Sequence, residues 1–120
     1  MRTLLGVLGL IGLGIAGCAG HPAPTEQVAS SLAAVRGAEE VGAKEVPEAA
    51  LHVKLAEEQI EQAKKLMGSG ENAKAEDLAV RAYQDAELAI AIAREANSKK
   101  KLEGFASANG TAGGEQPAAQ

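Results

Sequence analysis

Aromatic residues are almost missing from this 120-residue chain, which has one Tyr (Tyr83), one Phe (Phe105) and no Trp. Ring packing therefore cannot build its core, and the abundant alanine points instead to helices in close backbone approach. Cysteine occurs once, at Cys18. That excludes an internal disulfide, and one thiol without nearby ligating partners makes neither a metal site nor a catalytic one. Basic charge is also short, with twelve Lys and Arg against sixteen Asp and Glu. A nucleic-acid partner is not expected, because phosphate recognition needs basic patches.

The long apolar run is confined to the N-terminus. Residues 1–17 combine a positive start at Arg2, an uncharged stretch from Leu4 to Ala16, and small residues at the end. This is the layout of a secretory signal. A membrane-spanning helix needs about 20 apolar residues, whereas this stretch is shorter and is broken by Gly6, Gly9, Gly12 and Gly14. Ile15, Ala16, Gly17 and Cys18 together resemble the lipobox of bacterial lipoproteins, an aliphatic and two small residues before a cysteine.

The resemblance implies that the Cys18 sulfur receives a diacylglyceryl group, that cleavage occurs just before it, and that the new amino group is acylated. Each buried acyl CH₂ contributes about 0.8 kcal/mol, and two or three chains hold a protein firmly to a leaflet. Ala19 follows, where Asp would be the inner-membrane retention signal of Gram-negative lipoproteins. The periplasmic face of the outer membrane is the expected address in such a cell. Loss of Arg2 leaves eleven basic against sixteen acidic side chains, a charge of −5. The membrane contact then belongs to the lipid rather than to attraction for anionic headgroups.

Residues 18–24 form the lipidated Cys and a tether, with Pro22 and Pro24 favouring an extended path. His21 within it is expected to be a solvated loop residue. Residues 25–101 read as an all-α domain, a small antiparallel helical hairpin or three-helix bundle. Its first helix starts at Thr25 as N-cap and carries Val28, Leu32 and Val35 toward Gly42. A second starts at Pro47 and runs to Met67, before Gly68, Ser69 and Gly70. Ala49, Val53, Ala56, Ile60, Ala63 and Met67 form its heptad seam.

The third helix is expected from near Glu71, with Ser69 as N-cap, at least to Ala96. Ala75, Ala79, Ala82, Ala86, Ala89, Ala93 and Ala96 repeat at alternating steps of four and three. With only a methyl at each seam position the axes can approach to the short end of the usual 8 to 10 Å, roughly. The short connection makes the two helices antiparallel, and the 3.5-residue period implies a left-handed crossing. Leu78, Leu88 and Ile92 flank the stripe on one side, and Val80, Tyr83 and Ile90 on the other. One flank can take the first helix. The other is left for a partner or a second copy of the chain.

Residues 102–120 are rich in Gly, Ala and polar groups and read as a disordered tail. Phe105 is expected to stay free or to pack weakly on the helix end. Asn109-Gly110-Thr111 matches a glycosylation acceptor by chance. Lys99, Lys100 and Lys101 suit the end of the third helix, where cations complement exposed carbonyls.

Little else points to chemistry. Glu57, Glu58 and Glu61 read as solvated partners of Lys54 and Lys65, and Asp77, Arg81 and Asp85 as a similar ladder. Glu48 and His52 stand four residues apart, but a metal needs further ligands that the neighbouring helices do not supply. Ser30, Ser31, Ser69, Ser98 and Ser107 lie near helix ends or in loops, with no base beside them. Neither a catalytic residue, a metal nor a cofactor is expected.

Gly42-Ala43, Pro47, Leu55-Ala56, Ala63, Gly70, Ala75, Leu78-Ala79, Ala82 and Asp85-Ala86-Glu87-Leu88-Ala89 resemble the small bacterial envelope lipoproteins known as the domain of unknown function 4398 family. The likeness covers about Val28 to Asn97, with Val46 departing from the small or aromatic residue expected before the proline. It implies an exported helical domain, sometimes found beside peptidoglycan-binding modules, and brings no catalytic residues. The expected function is a lipid-anchored structural or interaction protein of the envelope, binding another envelope protein, a peptidoglycan-associated partner or itself. The alternative is a tetratricopeptide-like adaptor that binds peptides, although such arrays need about three repeats.

Overall fold

A computed structural model describes residues 20–112, with side chains to residue 110. The lipobox residues Ile15, Ala16 and Gly17 and the lipidation residue Cys18 lie outside the described residues, as do residues 113–120. Helix α1 spans Thr25–Glu40, α2 Pro47–Gly68 and α3 Asn72–Ala112, with a single 3₁₀ turn at Ala43–Glu45. The chain runs up, down and up, so α2 is antiparallel to both neighbours and α1 lies parallel to α3. No strand occurs among the described residues.

Turn chemistry fixes the two reversals. After α1, Gly42 adopts the left-handed conformation at φ 78°, which costs a residue with a Cβ about 1–2 kcal/mol. Val46 then extends the backbone, and Pro47 opens α2 where its missing N–H is no loss. The end of α2 is a Schellman motif. The Glu71 N–H donates to the Leu66 carbonyl at 2.9 Å and the Gly70 N–H to the Met67 carbonyl at 3.1 Å, with Gly70 at φ 80°.

Two expected caps are corrected by this geometry. Ser69 does not cap α3; its hydroxyl lies 3.1 Å from the Leu66 carbonyl and serves the end of α2, while the Glu71 carbonyl accepts from Ala75 at 3.0 Å to start α3. Thr25 is the first helical residue and not the N-cap. Pro24, buried, takes that place and offers its carbonyl to the Val28 N–H at 3.1 Å.

The alanine stripe is the floor of the core. Ala75, Ala79, Ala82, Ala86, Ala89 and Ala93 have no exposed surface, and neither do Ala49, Ala56 and Ala63 opposite them. Val53 and Ile60 fill the gaps between. Met67 and Ala96, at the ends of the seams, are only partly covered. The cap residue Pro24 and, on α1, Val28, Ser31, Ala34, Val35 and Ala38 face inward, all but Ala34 again at steps of four and three. Ser31 is thus a buried seam residue, where a helix-end position had been expected. Its hydroxyl lies 2.6 Å from the Ala79 carbonyl oxygen and 2.7 Å from that of Gln27.

The tail differs most from expectation. Beyond Lys101 the helix continues to Ala112, so at least residues 102–112 are helical and not disordered. The three lysines consequently lie within α3 instead of ending it, and Lys99 pairs with Glu95 at 2.7 Å. Residues 102–110 are all exposed. This overhang is held by its own backbone ladder and by hydroxyls folding back, with Ser107 donating to the Glu103 carbonyl at 2.9 Å.

Candidate interaction surface

The three helices cover one flank of the α2–α3 hairpin and leave the other open. Helix α1 fills the first flank through Ser31 on Ala79, Gln27 on Glu76 at 3.3 Å, and the Val41 carbonyl, which accepts from the Asn97 side chain at 3.0 Å. A cleft of ≈ 300 Å³ beside Gln27, Ser30, Val80 and Tyr83 remains along this junction, open to solvent.

The opposite flank has no third helix among the described residues. Its residues project from the positions adjoining each seam: His52, Leu55, Gln59 and Leu66 from α2, and Leu78, Asp85, Leu88 and Ile92 from α3. Leu55 is 36% exposed and Leu88 45%. A shallow groove of ≈ 260 Å³ runs between Leu66 and Leu78.

At the middle of this face stands a polar cluster. The Asp85 carboxylate meets His52 Nδ1 at 3.0 Å with one oxygen and accepts from Gln59 Nε2 at 2.7 Å with the other. Local spacing along each helix puts Asp85 in a ladder with Asp77 and Arg81 and His52 beside Glu48. The structure joins Asp85 to His52 across the hairpin, two partners 33 residues apart. Arg81 and Asp77 make no ion pair among the described residues. Gln59 Oε1 is buried without a hydrogen-bond partner, because turning the amide to satisfy it would surrender the bond to Asp85.

No group of three or more His, Cys, Asp or Glu able to hold a metal occurs among the described residues. The surface charges pair locally, with somewhat different partners from those expected. Glu61 pairs with Lys64 at 2.8 Å and Lys54 reaches Glu58 at 3.9 Å. Hydrogen bonding from Lys64, Lys74 and Lys99 holds the carboxyls of Glu61, Glu71 and Glu95 below the ordinary range, and Lys44, held by Glu39, is raised.

The strap of residues 20–24 also departs from the expected free tether. His21 Nε2 pairs with Glu76, and the Asn72 side chain donates to the His21 carbonyl at 2.7 Å. The strap therefore ends at the start of α3, beside the α2–α3 turn.

Residues 26–104 match a family model described as Domain of unknown function (DUF4398). No curated protein and no solved structure matches the chain. Among the described residues no helix is long and apolar enough to cross a membrane.

Proposed function

The chain belongs to the domain of unknown function 4398 family, and we propose that its bundle is a non-catalytic interaction domain held at the cell envelope by a lipid on Cys18. The observation that carries the interaction role is the uncovered hairpin flank, where Leu55 and Leu88 stand exposed around an ordered His52–Asp85–Gln59 cluster. Exposed leucines beside pre-placed polar groups suit a protein surface, which combines apolar contact with fixed hydrogen-bonding positions.

The anchor rests on Ile15-Ala16-Gly17-Cys18 after an export-like segment. The docked strap gives it a consequence. From Cys18 to His21 the chain spans roughly 10 Å at most, so a lipid on Cys18 would hold the turn end of the hairpin close to the leaflet. With Ala19 behind the cysteine, the leaflet proposed in a Gram-negative cell is the periplasmic face of the outer membrane. An envelope protein or a peptidoglycan-associated protein is the class of partner within reach.

Labelling cells with radioactive palmitate tests the anchor. The full chain should carry the label, and Cys18→Ala should lose it and stay uncleaved. Equal labelling of both forms, or of neither, would contradict the anchor while leaving the interaction face to be judged separately.

A further inference from the structure

We infer that the open hairpin flank binds a second copy of this chain, with α3 lying antiparallel on its counterpart about a two-fold axis at Leu88. The inference deepens the reading of that flank as an interaction face and does not depend on the lipid. Its basis is the order of charges along α3. One heptad before Leu88, on the same stripe, is Arg81; one heptad after it is Glu95. Each lies roughly 10 Å from Leu88 at 1.5 Å per residue. A two-fold axis at Leu88 therefore sets Arg81 of each copy opposite Glu95 of the other.

The same axis brings Asp77 opposite Lys99, since both stand eleven residues from Leu88. Within one chain Glu95 and Lys99 pair with each other at 2.7 Å, while Arg81 and Asp77 have no ion-pair partner among the described residues. Self-association would add the two unpaired charges to the existing pair, twice over. A parallel arrangement would put Arg81 against Arg81 and Glu95 against Glu95, which like-charge repulsion opposes.

Apolar contacts follow the same register. Leu88 meets Leu88 on the axis, and Leu55, level with Asp85 across the hairpin, comes beside Ile92 of the second copy. The overhang gains a neighbour too. Leu102, 69% exposed in one chain, falls level with Lys74 of the other, one turn from its half-buried Leu78. The two strap ends then lie roughly 50 Å apart along the pair, from the 1.5 Å rise over the 16 residues between Asn72 and Leu88 on each copy. Two copies anchored in one leaflet meet in this way with their helices lying along it.

The test places a photo-crosslinking benzoylphenylalanine at position 88 of the full chain in bacterial cells, with position 83, exposed on the α1 side of α3, as the control. Position 88 should give a product of twice the monomer mass whose crosslinked peptides join residue 88 to the 85–92 segment of the second copy, and position 83 should not. In the same background Arg81→Glu and Glu95→Arg should each cut the product roughly tenfold, and the double exchange should restore it. Circular dichroism of each purified variant separates lost pairing from lost fold. A crosslink only to another protein, or a double exchange no better than the single ones in folded protein, would overturn the second copy as occupant. The first of these would leave the flank as an interaction face with a different partner.

Discussion

The Ser31 hydroxyl sits 2.6 Å from the carbonyl oxygen of Ala79 with no exposed surface, and this contact ties α1 to the alanine stripe of α3. The Ala79 carbonyl already belongs to the α3 ladder, so the hydroxyl adds a second donor to an acceptor with two lone pairs. Ser31→Ala should lower stability by about 1 kcal/mol, the net contribution of one such bond. Urea unfolding followed by circular dichroism would measure it, with the loss in the midpoint and the slope unchanged.

The alanine seam sets how closely α2 and α3 approach. Ala86→Leu would press three more carbons into a position without exposed surface, and overpacking of this kind costs about 1–3 kcal/mol. Thermal unfolding should show the drop. The same change at exposed Ala91 should leave the midpoint nearly unmoved.

Two glycines should answer alanine with opposite signs. Gly70 is in the left-handed region at φ 80°, so Gly70→Ala should destabilise by about 1–2 kcal/mol. Gly37 is within α1, where a Cβ would meet Ile90 Cδ1 at 3.5 Å, an ordinary contact. Gly37→Ala should stabilise by up to about 1 kcal/mol through helix propensity. Chemical denaturation of the two variants would decide both.

Acid should weaken the bundle in a defined window. The Glu61, Glu71 and Glu95 carboxyls are held below their ordinary range by hydrogen bonds from Lys64, Lys74 and Lys99. A carboxyl depressed in the folded state contributes stability above its unfolded value, and that contribution is lost as pH falls through the folded one. The melting temperature should therefore hold from neutrality down to the ordinary carboxylate range and decline below it. High salt should shrink the decline, since all three pairs are exposed. A melting temperature rising on acidification would contradict this.

Hydrogen exchange should divide α3 in two. Amides of residues 79–93, against the seam, should exchange slowly, and those of residues 102–106 quickly, because the overhang there is exposed. If α3 pairs with a second copy, protection near Leu102 should rise with protein concentration.

What the sequence made legible is what repeats. The 3.5-residue spacing of the alanines located the α2–α3 seam and its direction, and Pro47, Gly42 and Gly70 marked the turns. Ser31 escaped notice because a hydroxyl interrupts an apolar stripe, although its place between Val28 and Val35 keeps the heptad step. Asp85 and His52 were assigned to neighbours on their own helices. Their pairing depends on hairpin register, which local spacing does not encode. The docked strap has the same origin, since His21 and Glu76 are 55 residues apart. The overhang is not legible locally because Gly104, Asn109 and Gly110 are poor helix formers and its low apolar content resembles that of an unstructured tail.

On the proposed reading, this domain works tethered at a membrane through Cys18, the sole cysteine of the chain. Intact mass spectrometry of the protein extracted from the envelope fraction tests that most directly. The predicted species begins at Cys18 and carries a diacylglyceryl group on sulfur with a further acyl chain on nitrogen. A species beginning at Met1, or one with a free Cys18 thiol, would contradict it.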